Sequence, residues 1–383
     1  MAKYLGPILT ATVFFPLLAF LFTVPYMIYS YRKYGSVLIT RAVLMYAFIY
    51  YLICVYALAI LPFPDANTVV TQRTRVNLIP FSYVPEVIAK STAFDWSDPS
   101  SWLPAIYSSG LYEPLCNILM FLPLGVFLRY YFGLTFWKTA LIACLGSLFL
   151  ELTQLSATYG LAPFVYRCCD VNDLIDNTFG GMAGYWITPL LTWFLPSRER
   201  LNQVSYQRGS RVSYVRRFVA FSIDWIVDDM LLELIASVLI PLEGTLKYLL
   251  AGLLVAILYH GVLVILWHGR TLGKALVKIR LVDDQTKDTA SPRSYMLRGI
   301  LLWGVLLQSG NWLTLLTEDV PMLSNFSVLI GMAGIVVYAA LLFNAVYNGV
   351  KNRPQMFYEQ QLHLIQVSTV QTKAMQPAAQ KSN

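Results

Sequence analysis

Apolar residues occur in long runs along this chain, and polar ones collect between them. A helix needs about 20 apolar residues to cross the hydrocarbon core of a bilayer. Nine stretches reach or approach that length: Ile8–Tyr29, Val37–Leu61, Leu115–Phe132, Phe136–Leu155, Asn177–Leu195, Phe218–Ile240, Leu246–Trp267, Gly299–Leu316 and Phe326–Val346. The pattern predicts an all-α fold, a polytopic membrane bundle of about nine transmembrane helices. The first run is too long for the apolar core of a cleavable signal. It ends in Tyr31-Arg32-Lys33-Tyr34 rather than in a small-residue cleavage site, so it is expected to stay as a helix.

The loops between the runs alternate in charge. Arg32, Lys33 and Arg41 follow the first run, and Arg129 and Lys138 follow the third. Arg198, Arg200, Arg208, Arg211, Arg216 and Arg217 follow the fifth; the seventh loop runs from Arg270 and Lys274 to Arg293 and Arg298. The second loop sets Asp65, Glu86, Asp95, Asp98 and Glu113 against Arg73, Arg75 and Lys90, and the fourth sets Asp170, Asp173 and Asp176 against Arg167. Basic loops belong in the cytoplasm, which puts the N-terminus outside and the C-terminus inside. The polar, basic stretch 196–216 then separates a domain of five helices (1–195) from one of four (217–350), with a polar cytoplasmic tail at 351–383.

Composition agrees with lipid as the solvent. The chain is 57% hydrophobic and 13% charged, where a soluble domain carries about a quarter charged residues. The net charge of +7 raises the question of nucleic acid. The basic residues nonetheless sit in short runs between apolar stretches, which is topology information, and no nucleic-acid partner is expected. Cys54, Cys116, Cys144, Cys168 and Cys169 lack metal-ligand spacing. They are read as free thiols, and neither a metal nor any other cofactor is expected. The stretch at Gly269 lacks the phosphate-loop pattern, and no Ser-His-Asp or zinc set can be assembled with His260, His268 and His363.

Polar residues inside a span are costly and therefore mark candidate chemistry. Glu151 and Gln154 share one helix face at i,i+3 spacing, ~20 Å along the helix from Trp137. Topology gathers Arg75, Asn77, Asn117, Glu151, Gln154, Arg167, Asp170, Asp173 and Asn177 near the outer face. Plainer roles compete: Asp173 with Asp176 as a helix cap, Glu151 paired with Arg75 or Arg167 as helix glue, and Gly180 with Gly184 as a close-packing face. A second constellation lies at the inner face. Arg217, Asp224 and Asp228 share a face of the sixth helix, and Arg270 and Arg298 flank the next basic loop. There the plain reading is Arg217 or Arg298 neutralising Asp224.

Four motifs in order carry a resemblance to the VanZ-like family. They are Asn77-Leu78-Ile79-Pro80-Phe81, then Asn117 through Phe121-Leu122-Pro123-Leu124-Gly125, then Glu151-x-x-Gln154, then Arg167-x-x-Asp170-x-x-Asp173-x-x-x-Asn177-x-x-Gly180. The resemblance covers roughly 38–195, with the first helix as an addition. It implies a cell-envelope protein associated with resistance to teicoplanin-type glycopeptides and other envelope-directed agents. Arg217 through Asp224, Gly269-Arg270-Thr271-Leu272-Gly273-Lys274, Ile279-Arg280-Leu281-Val282 and Arg298 resemble the RDD family over about 211–346. The family's usual His-Asp pair near the domain end is missing, with Asn344, Asn348 and Arg353 there instead. The RDD resemblance points to cation/proton exchange.

Three functions are therefore in play. The leading one is a non-enzymatic protein of the bacterial plasma membrane. It would bind or move a lipid-linked cell-wall precursor, an amphiphilic drug or another amphiphile at the outer leaflet, with membrane lipids as its other partners. The second is an ion-coupled transporter using Glu151 or Asp224. The third is a membrane enzyme holding a divalent cation on Glu151, Asp170 and Asp173.

Overall fold

The computed structural model describes residues 2–64, 76–90, 97–102, 110–238, 244–319 and 327–370. Each of the nine apolar stretches overlaps a helix or helical series among those residues. The first part comprises α1 (Ala2–Tyr34), α2 (Ile39–Ile60), β1 (Val76–Asn77), α3 (Val84–Lys90), α4 (Tyr112–Tyr130), α5 (Phe136–Leu155), β2 (Cys169–Asp170) and α6 (Val171–Leu191). Then come α7 (Arg198–Gly209), α8 (Tyr214–Val238), α9 (Gly244–Leu266), α10 (Leu272–Leu276) and β3 (Ile279–Asp283). The remainder is α11 (Pro292–Gly299), α12 (Ser309–Asp319), α13 (Ser327–Val350), α14 (Phe357–Gln361) and β4 (Leu364–Ser368).

Among the described residues, five helices are long and apolar enough to cross a membrane on length and composition: Leu5–Tyr34, Ile39–Ile60, Phe136–Leu155, Gly244–Leu266 and Met332–Val350. The other four stretches carry polar insertions. Helix α8 holds Arg216, Arg217, Asp224, Asp228, Asp229 and Glu233, and the eighth stretch divides into α11, a π-helical segment Ile300–Leu306 and α12. Val13 and Phe20 on α1 are each 76% exposed, as is Val328 on α13. Apolar faces of that length need lipid or a partner to cover them, and the chain is a multi-pass membrane protein.

The chain divides into two compact units. One contains Met1–Thr23 and Ile39–Leu201, the other Val24–Leu38 and Asn202–Asn383. The first unit is built on Val55, Ile60, Phe121, Leu124, Leu128 and Leu150. Its α4 and α6 touch backbone to backbone. A Cβ at Gly180 would stand 2.3 Å from the Ile118 carbonyl oxygen, and one at Gly184 would stand 2.0 Å from that of Leu122. The glycine face is thus a packing face, as the small-xxx-small spacing predicts.

In the second unit, regular structure continues into the stretch read as a polar tail. Residues 357–361 form α14, and β4 pairs antiparallel with β3, Ile279 opposite Ser368 and Asp283 opposite Leu364. Ile279, Leu281 and Leu364 are fully buried. The expected linker also has structure, since most of it is α7.

Candidate functional site

In the first unit, a short parallel pairing sets Val76 beside Cys169 and Asn77 beside Asp170. Asp170, not Asp173 or Asp176, caps α6, its Oδ1 accepting the Asn172 backbone N–H at 2.8 Å. A carboxylate there also suits the positive end of the helix dipole. The other Asp170 oxygen accepts the Asn77 side-chain amide at 3.0 Å. The Asn77-to-Phe81 motif therefore acts as a clip. Asn77 Oδ1 accepts the Ile79 N–H at 3.1 Å, and Asn172 Nδ2 donates to Ser82 at 2.9 Å.

Beneath this clip lies Glu151, 3% exposed. Its Oε2 accepts the Asp170 backbone N–H at 2.9 Å. Arg167 does not pair with it; the Arg167 guanidinium donates to the Leu61 carbonyl at 3.4 Å. Arg75 lies outside the described residues. Among the described residues Glu151 has no ion pair, so the expected contact is not made by Arg167, which acts on Glu151 only at longer range, while the alternative contact with Arg75 falls outside the described residues. Gln154 is committed elsewhere, its Nε2 donating to the Ala59 carbonyl at 2.9 Å, which ties α5 to the end of α2. One helix turn further into α6, Asp173 accepts the Asn117 amide at 2.6 Å and lies within electrostatic reach of Glu151, Glu113, Asp170 and Asp176. Asn177 donates to Ser147 at 2.9 Å. Two buried acceptors beside it, Asp176 Oδ2 and Asn177 Oδ1, have no partner.

Asn77, Asn117, Glu151, Asp170, Asp173 and Asn177 are therefore assembled from α4, α5, α6 and the β1–β2 clip, while Gln154 and Arg167 reach to the end of α2 and the residue after it. The assembly is acidic, and among the described residues its carboxylates accept hydrogen bonds from neutral donors. Cys168 and Cys169 are free thiols, Cys169 in β2 and Cys168 just before it. Burial first, then neighbouring carboxylates, pushes both thiols up, so neither is a ready thiolate. Among the described residues no three His, Cys, Asp or Glu side chains converge as metal ligands.

In the second unit the carboxylates are met by cations, but not the expected ones. Asp224 is fully buried. It accepts the Tyr259 hydroxyl at 2.9 Å, the Gly273 N–H at 2.8 Å, the Thr271 hydroxyl at 2.6 Å and the Lys274 ammonium at 3.4 Å. Gly273 must be glycine, because a Cβ would stand 2.1 Å from the Ala220 carbonyl oxygen. Burial pushes the Lys274 ammonium down from the usual lysine range, and Asp224 pulls it back up. Arg217 and Arg298 turn instead to Glu359 on α14, at 3.4 and 3.8 Å. Arg270 is half-buried with its Nε unpartnered.

Three residues escaped the sequence reading. Glu359, fully buried, lies in what reads as a polar tail. Arg216, also fully buried, donates to the backbone carbonyls of Gly35, Gly209, Val277 and Lys278 and to the Ser368 hydroxyl. It meets no carboxylate. His260 is 1% exposed; its Nε2 is 3.0 Å from Asp228 Oδ1 and its ring stacks on Trp303 at 3.9 Å. Both ring residues sit in π-helical turns, Leu258–Val262 and Ile300–Leu306, a backbone form enriched at functional sites. A His-Asp pair is thus present, though on α8 and α9 rather than near the domain end.

No curated protein and no solved structure matches the chain. Two family models do. Residues 48–192 match VanZ/LLP1, a span that contains every residue of the acidic assembly, and residues 211–354 match the RDD family. The chain is therefore a membrane protein that joins a VanZ-like region to an RDD region in one polypeptide.

Proposed function

We propose that the VanZ-like region is a non-enzymatic binding module of the bacterial plasma membrane that takes up the head group of a lipid-linked or amphiphilic molecule at the outer leaflet. Through that binding it contributes to tolerance of glycopeptides or other envelope-directed agents. The observation that carries the reading is the acidic assembly under the β1–β2 clip. Its buried Glu151 has a single backbone donor on Oε2, and the buried acceptors Asp176 Oδ2 and Asn177 Oδ1 have none. Buried polar groups left unpaired are expensive, and a ligand that supplies donors removes the cost. Among the described residues, carboxylates rather than guanidinium groups occupy the centre. The head group that fits is one that donates hydrogen bonds, such as the amines and amides of a peptide.

The test is lipid mass spectrometry on the purified full chain against Glu151→Gln. The parent should retain a peptide-bearing or amine-bearing amphiphile that the variant loses; equal retention by both sinks the reading. Orientation has its own check. A cysteine at Ser100 should react with an impermeant reagent on intact cells and one at Ser210 should not.

One observation favours ion-coupled transport as a second reading, namely the contact between the buried His260 and the half-buried Asp228 on α9 and α8. Proton flux in proteoliposomes that survives Asp228→Asn removes it.

A further inference from the structure

The RDD region contains a space that the acidic assembly does not explain. A cavity of about 340 Å³ lies between α8, α13 and the π-helical segment Ile300–Leu306. Its wall is apolar, with Phe221, Trp225, Leu302, Trp303, Leu307 and Leu341. Phe218 and Leu342 also line it and are each 66% exposed. Leu342 lies in the candidate span Met332–Val350, so at that rim the cavity opens toward the acyl region.

The floor of the cavity is charged. Arg217, Lys274, Arg298 and Asp224 line it. Arg217 and Arg298 are 9% and 4% exposed, and the Nε of each has no partner. A larger cleft of about 920 Å³ shares Tyr214, Arg217, Phe218, Leu342, Ala345 and Gln366 with the cavity. That cleft adds Arg208, Arg211 and Arg353, and no Asp or Glu lines it. Among the described residues these three arginines form no ion pair. Across both spaces six cationic side chains face one lining carboxylate, Asp224, with Glu359 behind Arg217 and Arg298. The surplus is cationic, it adjoins an apolar slot, and it sits on the side of the membrane that carries the basic loops.

We propose that this region holds an anionic amphiphile, its oxyanion head among Arg208, Arg211, Arg217 and Arg353 and its acyl chain in the cavity beside Trp303. A guanidinium matches a phosphate or carboxylate with two parallel hydrogen bonds, and the volume suits part of one acyl chain, at the lower end of the roughly 300–1,000 Å³ of small-molecule pockets. The inference is independent of the outer-leaflet reading, since it concerns other residues in the other unit.

Native mass spectrometry of the full chain in a neutral detergent tests it, with dioleoylphosphatidylglycerol, oleate, dioleoylphosphatidylcholine and inorganic phosphate as probes. Phosphatidylglycerol, oleate or both should be held about 10-fold or more tightly than phosphatidylcholine, and inorganic phosphate should not be retained. Retention of phosphatidylglycerol alone assigns the head to a phospholipid, and retention of oleate alone assigns it to a fatty acid. Arg211→Gln combined with Arg353→Gln, both at exposed positions, should weaken the retained probe about 10-fold or more with the yield of folded protein unchanged. Leu341→Trp, which fills the slot, should do the same. Equal retention of phosphatidylcholine by the parent, or undiminished retention by both variants, would overturn the proposal.

Discussion

Buried carboxylates in the two halves of this chain are satisfied in different ways. Glu151 in the VanZ-like region accepts a backbone N–H, and Asp173 accepts an asparagine amide. In the RDD region, Asp224 and Glu359 meet Lys274, Arg217 and Arg298. A carboxylate held by cations is part of the scaffold: removing it leaves buried positive charge behind. A carboxylate held by neutral donors keeps its charge for something else, and its removal strands no cation. The comparison sets a cluster that holds helices together beside the one proposed to take a ligand.

The largest expected effects follow from breaking the ionic half. Glu359→Ala strands two buried arginines, and Asp224→Ala strands Lys274. Each should destabilise the protein by roughly 3–5 kcal/mol, seen as a collapse of folded material in size-exclusion chromatography. Next comes Gly273→Ala, whose added methyl meets the Ala220 carbonyl; overpacking of this kind costs about 1–3 kcal/mol, read as a lowered melting temperature. On the neutral side the effects shrink. Asn117→Ala removes one hydrogen bond to Asp173, worth about 0.5–1.5 kcal/mol, and should lower the melting temperature only slightly. Glu151→Gln should be smaller still, because its amide oxygen can accept the same Asp170 N–H.

Much of this arrangement is legible in the sequence, and the illegible part has a physical reason. Runs of apolar residues locate the helices because a span must be apolar over its whole length. The four VanZ-like motifs bring Asn77, Asn117, Glu151, Asp170 and Asp173 together because each lies at the end of a helix or in the loop beside it. Partner choice is what periodicity does not encode. Arg217 finds Glu359 142 residues away, across four intervening helical stretches, and a glutamate in a polar tail carries no mark of burial. The strand pair was similarly hidden. Ile279-Arg280-Leu281 and Leu364-Ile365-Gln366 alternate over too few residues to stand out from a loop, and only their pairing makes strands of them. Arg216 shows the limit most clearly, since its five partners are four backbone carbonyls and a hydroxyl, invisible in side-chain patterns.

The measurement that bears most directly on the difference between the two halves sets Glu151→Gln beside Glu359→Gln in one glycopeptide-sensitive host. Each substitution neutralises one buried carboxylate and keeps its shape. Membrane abundance and glycopeptide tolerance per molecule are read for both. Glu151→Gln should reach parental abundance and lack the glycopeptide tolerance proposed for the parent, while Glu359→Gln should lose abundance. Parental tolerance in Glu151→Gln, or a loss of abundance there as deep as in Glu359→Gln, would contradict the account.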